Sequence, residues 1–365
     1  MVVQLKKIRI NWGFFKTVQS KVTINHNHNY FTKYLYIWLM KQKIKPKIIS
    51  QIMQKITVIG AGNVGATVAN VIAHKNLAKE VVLVDIKEGT AEGKALDIWQ
   101  SAPINHFNTR VTGVTNDYLA TKGSGVIVIT SGIPRKPGMS RDDLIKTNAA
   151  IVKEVTEKAT KYSPDAIIII VSNPLDVMTY AAYLAANKPS SKVFGMAGTL
   201  DTGRYRAFIA NALNVDPIDV HALLMGGHGD TMVPLPRYTS VNGIPVTELL
   251  GKEELDKIVE RTKKGGGELV NLMGTSAWYA PGAAAAQIVE AIVDDQNRVL
   301  PVCAMLNGEY GLKNVYLGVP CKIGKNGIEE IIKIALNKEE QALLNTSAQA
   351  VRELMKSLDD MKLFE

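Results

Sequence analysis

Lys55-Ile56-Thr57-Val58-Ile59-Gly60-Ala61-Gly62-Asn63-Val64-Gly65 is the stretch on which the fold turns. Ile56, Val58 and Ile59 are β-branched residues suited to a buried parallel strand. Gly60, Gly62 and Gly65 follow at a spacing that allows a tight turn, a close backbone approach to a pyrophosphate, and close packing of the next helix on the strand. Free N–H groups and the dipole at that helix N-terminus favour an anion. A glycine pattern alone is weak, but the residues after it supply context. Val64 to His74 reads as helix, Val81 to Val84 as a second strand, and Asp85 closes that strand twenty residues after Gly65. A carboxylate there accepts hydrogen bonds from an adenosine ribose and repels a 2′-phosphate, which predicts NAD over NADP. Gly60, Ala61, Gly62, Asn63, Val64, Gly65 and Asp85 are the expected contacts of that nucleotide.

Beyond Asp85, apolar strands alternate with amphipathic helices, as a doubly wound parallel α/β sheet requires. Ala91 to Gln100 reads as helix and Val126 to Thr130 as a buried strand. Ser140 to Lys161 reads as a long helix whose Ser140 and Asp143 have capping-box spacing, and Ala166 to Val171 as another buried strand. Open α/β sheets place ligands at strand ends, so the loops after Thr130 and Val171 should border the cofactor and substrate. Gly132, Pro134, Pro137 and Gly138 make the first loop irregular, which suits a lid. From about Ala197 the pattern changes to helices and hairpins. Thr199 to Leu213 reads as helix, Val241-Asn242-Gly243-Ile244 as a hairpin, Leu317 to Pro320 with Cys321 to Gly324 as strand and turn, and Lys338 to Leu363 as a structural terminal helix. The organisation expected is an extension over 1–52, a dinucleotide domain over 53–196 and an α+β substrate domain over 197–365.

The chain of 365 residues, 46% hydrophobic and 21% charged, has room for two domains with a real core. It contains no apolar run of eighteen residues, so no membrane span is expected. Cys303 and Cys321 have neither framework nor metal spacing and read as reduced cytosolic thiols. The net charge of +9 hints at nucleic acid until it is located. Residues 1–54 carry ten of the 43 basic residues and no Asp or Glu, so the rest is close to neutral and a nucleic-acid role has little electrostatic support. With one arginine, Arg9, the first fifty residues do not resemble an Arg-rich presequence, and Met53 leads directly into the first strand. The favoured expectation is a start at Met53 with the upstream residues a start-site artefact, in a cytoplasmic protein; the alternative is a targeting arm, mitochondrial if it is a presequence.

Charged groups gather in and beyond the two loops: Arg135 and Arg141 in Ile133 to Arg141, Asp201 and Arg204 in Gly198 to Arg204, and His228 in Gly226-Gly227-His228-Gly229-Asp230. Singly, each has a plainer explanation as a solvated arginine, a surface ion pair or a turn histidine. Together, in this order and spacing from Met53 to the C-terminus, they resemble the lactate/malate dehydrogenase superfamily, in the malate branch closest to lactate dehydrogenases. The resemblance implies that His228 is the proton donor and acceptor, that Asp201 fixes its tautomer and favours imidazolium, and that Arg204 clamps the substrate's C1 carboxylate. It further implies that Arg141 polarises the carbonyl as a lid closes, that Asn173 bridges substrate and cofactor, that Val171, Ser172 and Asn148 contact the cofactor, and that Ala277 lines the pocket. Arg135 decides the substrate: lactate enzymes carry an uncharged Gln there, whereas an arginine pairs with the second carboxylate of malate or oxaloacetate. The expected activity is reversible, NAD-dependent conversion of (S)-malate to oxaloacetate in the tricarboxylic acid cycle, by a homodimer or homotetramer. The alternatives are a lactate or other 2-hydroxyacid dehydrogenase, and a non-catalytic NAD-binding protein.

Overall fold

Val126–Ile129 and Ile167–Ile170 are runs of β-branched residues buried at every position, as central parallel strands covered on both faces must be. They lie at the heart of the computed structural model, which describes residues 53–134 and 138–364. The expected extension over 1–52 and Arg135 lie outside the described residues.

In chain order the first half comprises β1 (Met53–Ile59), α1 (Asn63–His74), β2 (Ala78–Asp85), α2 (Thr90–Gln100), β3 (Arg110–Thr115), β4 (Val126–Ile129), α3 (Arg141–Tyr162), β5 (Ile167–Ile170), α4 (Leu175–Ala186) and β6 (Val193–Gly195). These strands are all parallel and ordered β3-β2-β1-β4-β5-β6. The order reverses between β1 and β4, so their connections leave in opposite directions and open a crevice beyond the C-terminal ends of both strands. The second half adds α5 (Ala197–Leu213), α6 (Lys252–Met273), α7 (Tyr279–Val293), β7 (Arg298–Asn307), β8 (Lys313–Gly324), β9 (Gly327–Ile331) and α8 (Lys338–Asp360). β7 joins β6 antiparallel at Cys303 and Gly195, and β8 and β9 follow, so the halves share one nine-stranded sheet.

Alternate residues of each strand feed opposite apolar layers. Ile56, Val58, Val126 and Val128 pack with Val68, Ala69 and Ile72 of α1 and Ala284 to Ala286 of α7, while Ile59, Ile127 and Ile129 pack with Ile145, Ala149 and Val152 of α3. Truncating one of these isoleucines to alanine is expected to cost about 2–5 kcal/mol.

The strands and helices end within a few residues of the sequence expectation. Ser140 caps α3 with both halves of the capping box: its Oγ accepts from Asp143 N at 3.1 Å, and its N–H donates to Asp143 Oδ2 at 3.2 Å. Ser240–Val241 pairs with Ile244–Pro245 through Asn242 and Gly243 at φ 50° and 93°, the hairpin expected. One expectation is corrected. Cys321 to Gly324 is not a turn but the end of β8, because Cys321 and Ile323 are fully buried and paired with β7 and β9 on either side.

Candidate active site

The crevice begins at the glycine turn. Gly60 takes φ 99° and donates to Val84 O at 2.8 Å, while Thr130 Oγ1 at the end of β4 donates to Gly60 O at 2.9 Å. A Cβ on Gly65 would overlap that same Gly60 carbonyl, so α1 approaches β1 only through glycine. Gly62 is the N-cap of α1 and offers no side-chain acceptor to the N–H groups of its first turn, which suits an anion there. Asp85, half-buried at the end of β2, accepts Ala61 N at 2.7 Å and Lys87 N at 2.9 Å on its two oxygens. It therefore tethers the glycine turn as well as keeping lone pairs for a ribose hydroxyl. A backbone cradle that any Cβ at Gly65 would close, an uncapped helix and a carboxylate beside it fit a dinucleotide.

A cavity of about 420 Å³ continues from Asn63 and Val64 past Thr130, Asn148 and Val171 to Ala277. Asn148 is buried and clips its walls together: its Oδ1 accepts Ile133 N at 2.8 Å, and its Nδ2 donates to Ile133 O at 3.1 Å and Asn173 O at 2.7 Å. Its amide serves the two loops first, where sequence reading expected a direct cofactor contact. Ser172 is also buried and donates to Ser131 O at 2.5 Å, whereas Asn173 is exposed.

Val64, Val171, Asn173 and Ala277 also line a second cavity of about 240 Å³ that holds Arg204 and His228. Asp201 and Arg204 stand one turn apart on α5, hence on one face. Asp201 is 2% exposed; its Oδ2 lies 2.8 Å from His228 Nδ1 and its Oδ1 3.2 Å from Arg204 NH1. With Nδ1 turned to the carboxylate, Nε2 is left for the cavity. Burial alone would lower the imidazole pKa, but the charge and hydrogen bond of Asp201, aided by Asp176 and opposed by Arg204, raise it above the usual value. Arg204 lines this cavity, and its Nε is buried with no hydrogen-bond partner among the described residues.

The histidine loop is held residue by residue. Gly226, at φ 88°, exchanges backbone hydrogen bonds with Gly318 of β8 at 2.9 and 3.1 Å. Gly227 N donates to Ser347 Oγ on α8 at 2.8 Å, and His228 N to Asp176 Oδ2 on α4 at 2.9 Å. Sequence reading missed Thr130, Asp176 and Ser347. Only Asp176 left a trace, as the one charged residue in the apolar helix Leu175–Ala186. Arg141 is not brought to the group: it is the exposed first residue of α3 and lines neither cavity.

A nucleotide crevice that runs into a buried Asp–His pair beside an arginine suits the division of labour of a 2-hydroxyacid dehydrogenase. Two family models divide the chain between them: lactate/malate dehydrogenase, NAD binding domain, over residues 54–195, and lactate/malate dehydrogenase, alpha/beta C-terminal domain, over 198–364. The chain belongs to the lactate/malate dehydrogenase family. It is 64% identical over 307 residues to a malate dehydrogenase of Cytophaga hutchinsonii, covering 84% of this chain and 98% of the relative. Malate dehydrogenase from Salinibacter ruber superimposes with a TM-score of 0.82 at 57% identity, over 85% of this chain and 99% of that one. A lactate dehydrogenase from Cryptosporidium parvum, solved with lactic acid and nicotinamide adenine dinucleotide, reaches 0.81 at 41% identity over 84% and 98%.

Proposed function

We propose that the chain is an NAD-dependent malate dehydrogenase that interconverts (S)-malate and oxaloacetate, with His228, Asp201 and Arg204 at its centre. The observation that carries the site is the convergence of His228 and Arg204, both bonded to Asp201, in the cavity that continues the nucleotide crevice. The nicotinamide, when bound, supplies or takes up the hydride. Arg204, which lines the cavity beside His228, holds the C1 carboxylate through its guanidinium. His228 Nε2 gives a proton to the ketone oxygen of oxaloacetate, or takes one from the malate hydroxyl, and Asp201 keeps Nδ1 protonated throughout. Asp85 receives the adenosine ribose, the Gly60 to Gly65 turn with Ala61, Asn63 and Val64 the pyrophosphate, and Val171, Ser172 and Asn173 the nicotinamide side. Loop closure carries Arg141 to the carbonyl and Arg135 to the distal carboxylate. The dicarboxylate assignment is supported by Arg135 in the sequence and by relatives named malate dehydrogenase.

Incubation with malate and NAD⁺ should generate NADH, and the reverse mixture should consume it; absence of turnover in both directions, with cofactor binding intact, rules the proposal out. We further propose a homo-oligomer working in the cytoplasm, in the tricarboxylic acid cycle. In support, an apolar groove of about 720 Å³ lies among α1, α5, α6 and α7, with Leu272 75% exposed at its edge. No helix of the described residues is long and apolar enough to cross a membrane. Sedimentation as a monomer at micromolar concentration would refute the oligomer.

A further inference from the structure

Asp176 is a buried acid for which the chemistry above has no use. It is 5% exposed in the first turn of α4, and the ion pairs of the neighbouring site go to Asp201 instead. Burying a carboxylate without a cation costs several kcal/mol, so a neutral acceptor would hold the same hydrogen bond more cheaply. Two donors converge on it. Its Oδ2 takes the backbone N–H of His228 at 2.9 Å, and its Oδ1 takes the Cys303 thiol of β7 at 3.2 Å. Among the described residues, the one positive group that acts on its charge is the imidazole of His228, the residue whose main chain it holds.

We infer that Asp176 is a positioning residue for His228: it fixes the main chain of the proton donor and adds a second carboxylate, after Asp201, to the charge surrounding the imidazole. The inference rests on His228 being the proton donor of the proposed reaction. The groups facing the ring are Asp201 and Arg204 from α5, Asp176 from α4 and, through Asp176, Cys303 from β7 with Cys321 of β8 behind it. Burial pushes the Asp176 carboxyl up, and the His228 N–H and the Cys303 thiol draw it partly back. Burial also drives the Cys303 thiol well above its usual value, so it stays an S–H donor across the working pH range. Protonation of His228 and ionisation of Asp176 thus support one another. A merely structural acceptor would hold the loop but leave the titration of the ring alone.

Asp176→Asn separates the two roles, because the amide oxygen still accepts the His228 N–H while the charge is gone. The decisive measurement is a histidine-labelled NMR titration of the NADH-bound enzyme, the His228 signal being identified by its absence in His228→Gln. In Asp176→Asn we expect the His228 midpoint to move down. The KM for oxaloacetate at about pH 8 should rise about tenfold, with kcat at about pH 6 preserved within about twofold. Cys303→Ala, which withdraws the thiol donor and raises the Asp176 carboxyl further, should move the midpoint in the same direction by less. An unchanged midpoint in Asp176→Asn overturns the inference, and so does an equal loss of kcat in Asp176→Asn and Asp176→Ala with no change of pH profile. If Asp176→Asn does not fold, Cys303→Ala carries the test, and an unchanged midpoint there overturns it. The titration needs no substrate, so failure of wild-type enzyme to reduce oxaloacetate would reject the proposed activity separately.

Discussion

Replacing Asp201 with Asn changes one oxygen to an amide nitrogen at the point where two contacts meet, 2.8 Å from His228 Nδ1 and 3.2 Å from Arg204 NH1. The side chain keeps its shape, and with 2% exposure it has nowhere else to turn. The charge-assisted bond to imidazolium is worth about 1.5–3 kcal/mol, or about ten- to 150-fold in an equilibrium. Geometry adds a second loss. If the amide donates to Nδ1, the ring is held with its proton on Nε2, so His228 cannot act as base on malate; in serine proteases the same substitution beside the catalytic histidine costs about 10⁴ in kcat. We therefore expect kcat/KM for oxaloacetate near neutral pH to fall by about 10² to 10⁴. The kcat/KM for malate oxidation should fall by the same factor, because the overall equilibrium fixes the ratio of the two directions while cofactor affinity is unaltered, and NADH affinity by fluorescence titration should not change. A variant within a few-fold of wild type in both directions, with an unaltered pH profile, refutes the role given to Asp201.

The raised pKa of His228 carries a stability consequence whose sign is fixed: a group raised in the folded state stabilises fully below its unfolded value, about 6.5, and that contribution is lost as pH rises through the folded value. The difference in Tm between wild type and Asp201→Asn should accordingly be larger near pH 6 than near pH 9, and an equal difference at both contradicts it. Gly65→Ala must displace α1 from the Gly60 carbonyl and should weaken NADH binding at least about tenfold, or unfold the protein; wild-type affinity would show that the contact yields. Asp85→Ser should lose affinity for NADH and gain turnover with NADPH, measured as the ratio of the two kcat/KM values; an unchanged ratio removes the ribose role. Arg135→Gln should shift preference from oxaloacetate toward pyruvate by about 10² or more, and an unchanged ratio of the two keto acids excludes it as the discriminating residue.

What the sequence displays well is what short-range pattern controls. The buried runs Val126–Ile129 and Ile167–Ile170, the glycines of residues 60–65 and the Ser140/Asp143 box each carry their own reason locally, and each forms where expected. His228, Asp201 and Arg204 were legible because a motif resemblance named them, although only the fold brings residues 201 and 228 within 2.8 Å. Thr130, Asp176 and Ser347 were not legible: each acts through hydrogen bonding to backbone between 52 and 120 positions away in chain, and no spacing rule reports that. Asn148, expected at the cofactor, lines the crevice, and its amide bonds loop backbone there. Cys321 to Gly324 misled because glycine, lysine and proline nearby look like a turn, while burial of Cys321 and Ile323 between two partner strands overrides them.

Dicarboxylate specificity is tested most directly by following NADH consumption by the unmodified protein with oxaloacetate and pyruvate side by side. The pairing proposed between Arg135 and the distal carboxylate predicts kcat/KM for oxaloacetate exceeding that for pyruvate by on the order of 10⁴. Equal values, or pyruvate preferred, contradict it and would leave the chain a 2-hydroxyacid dehydrogenase of another substrate.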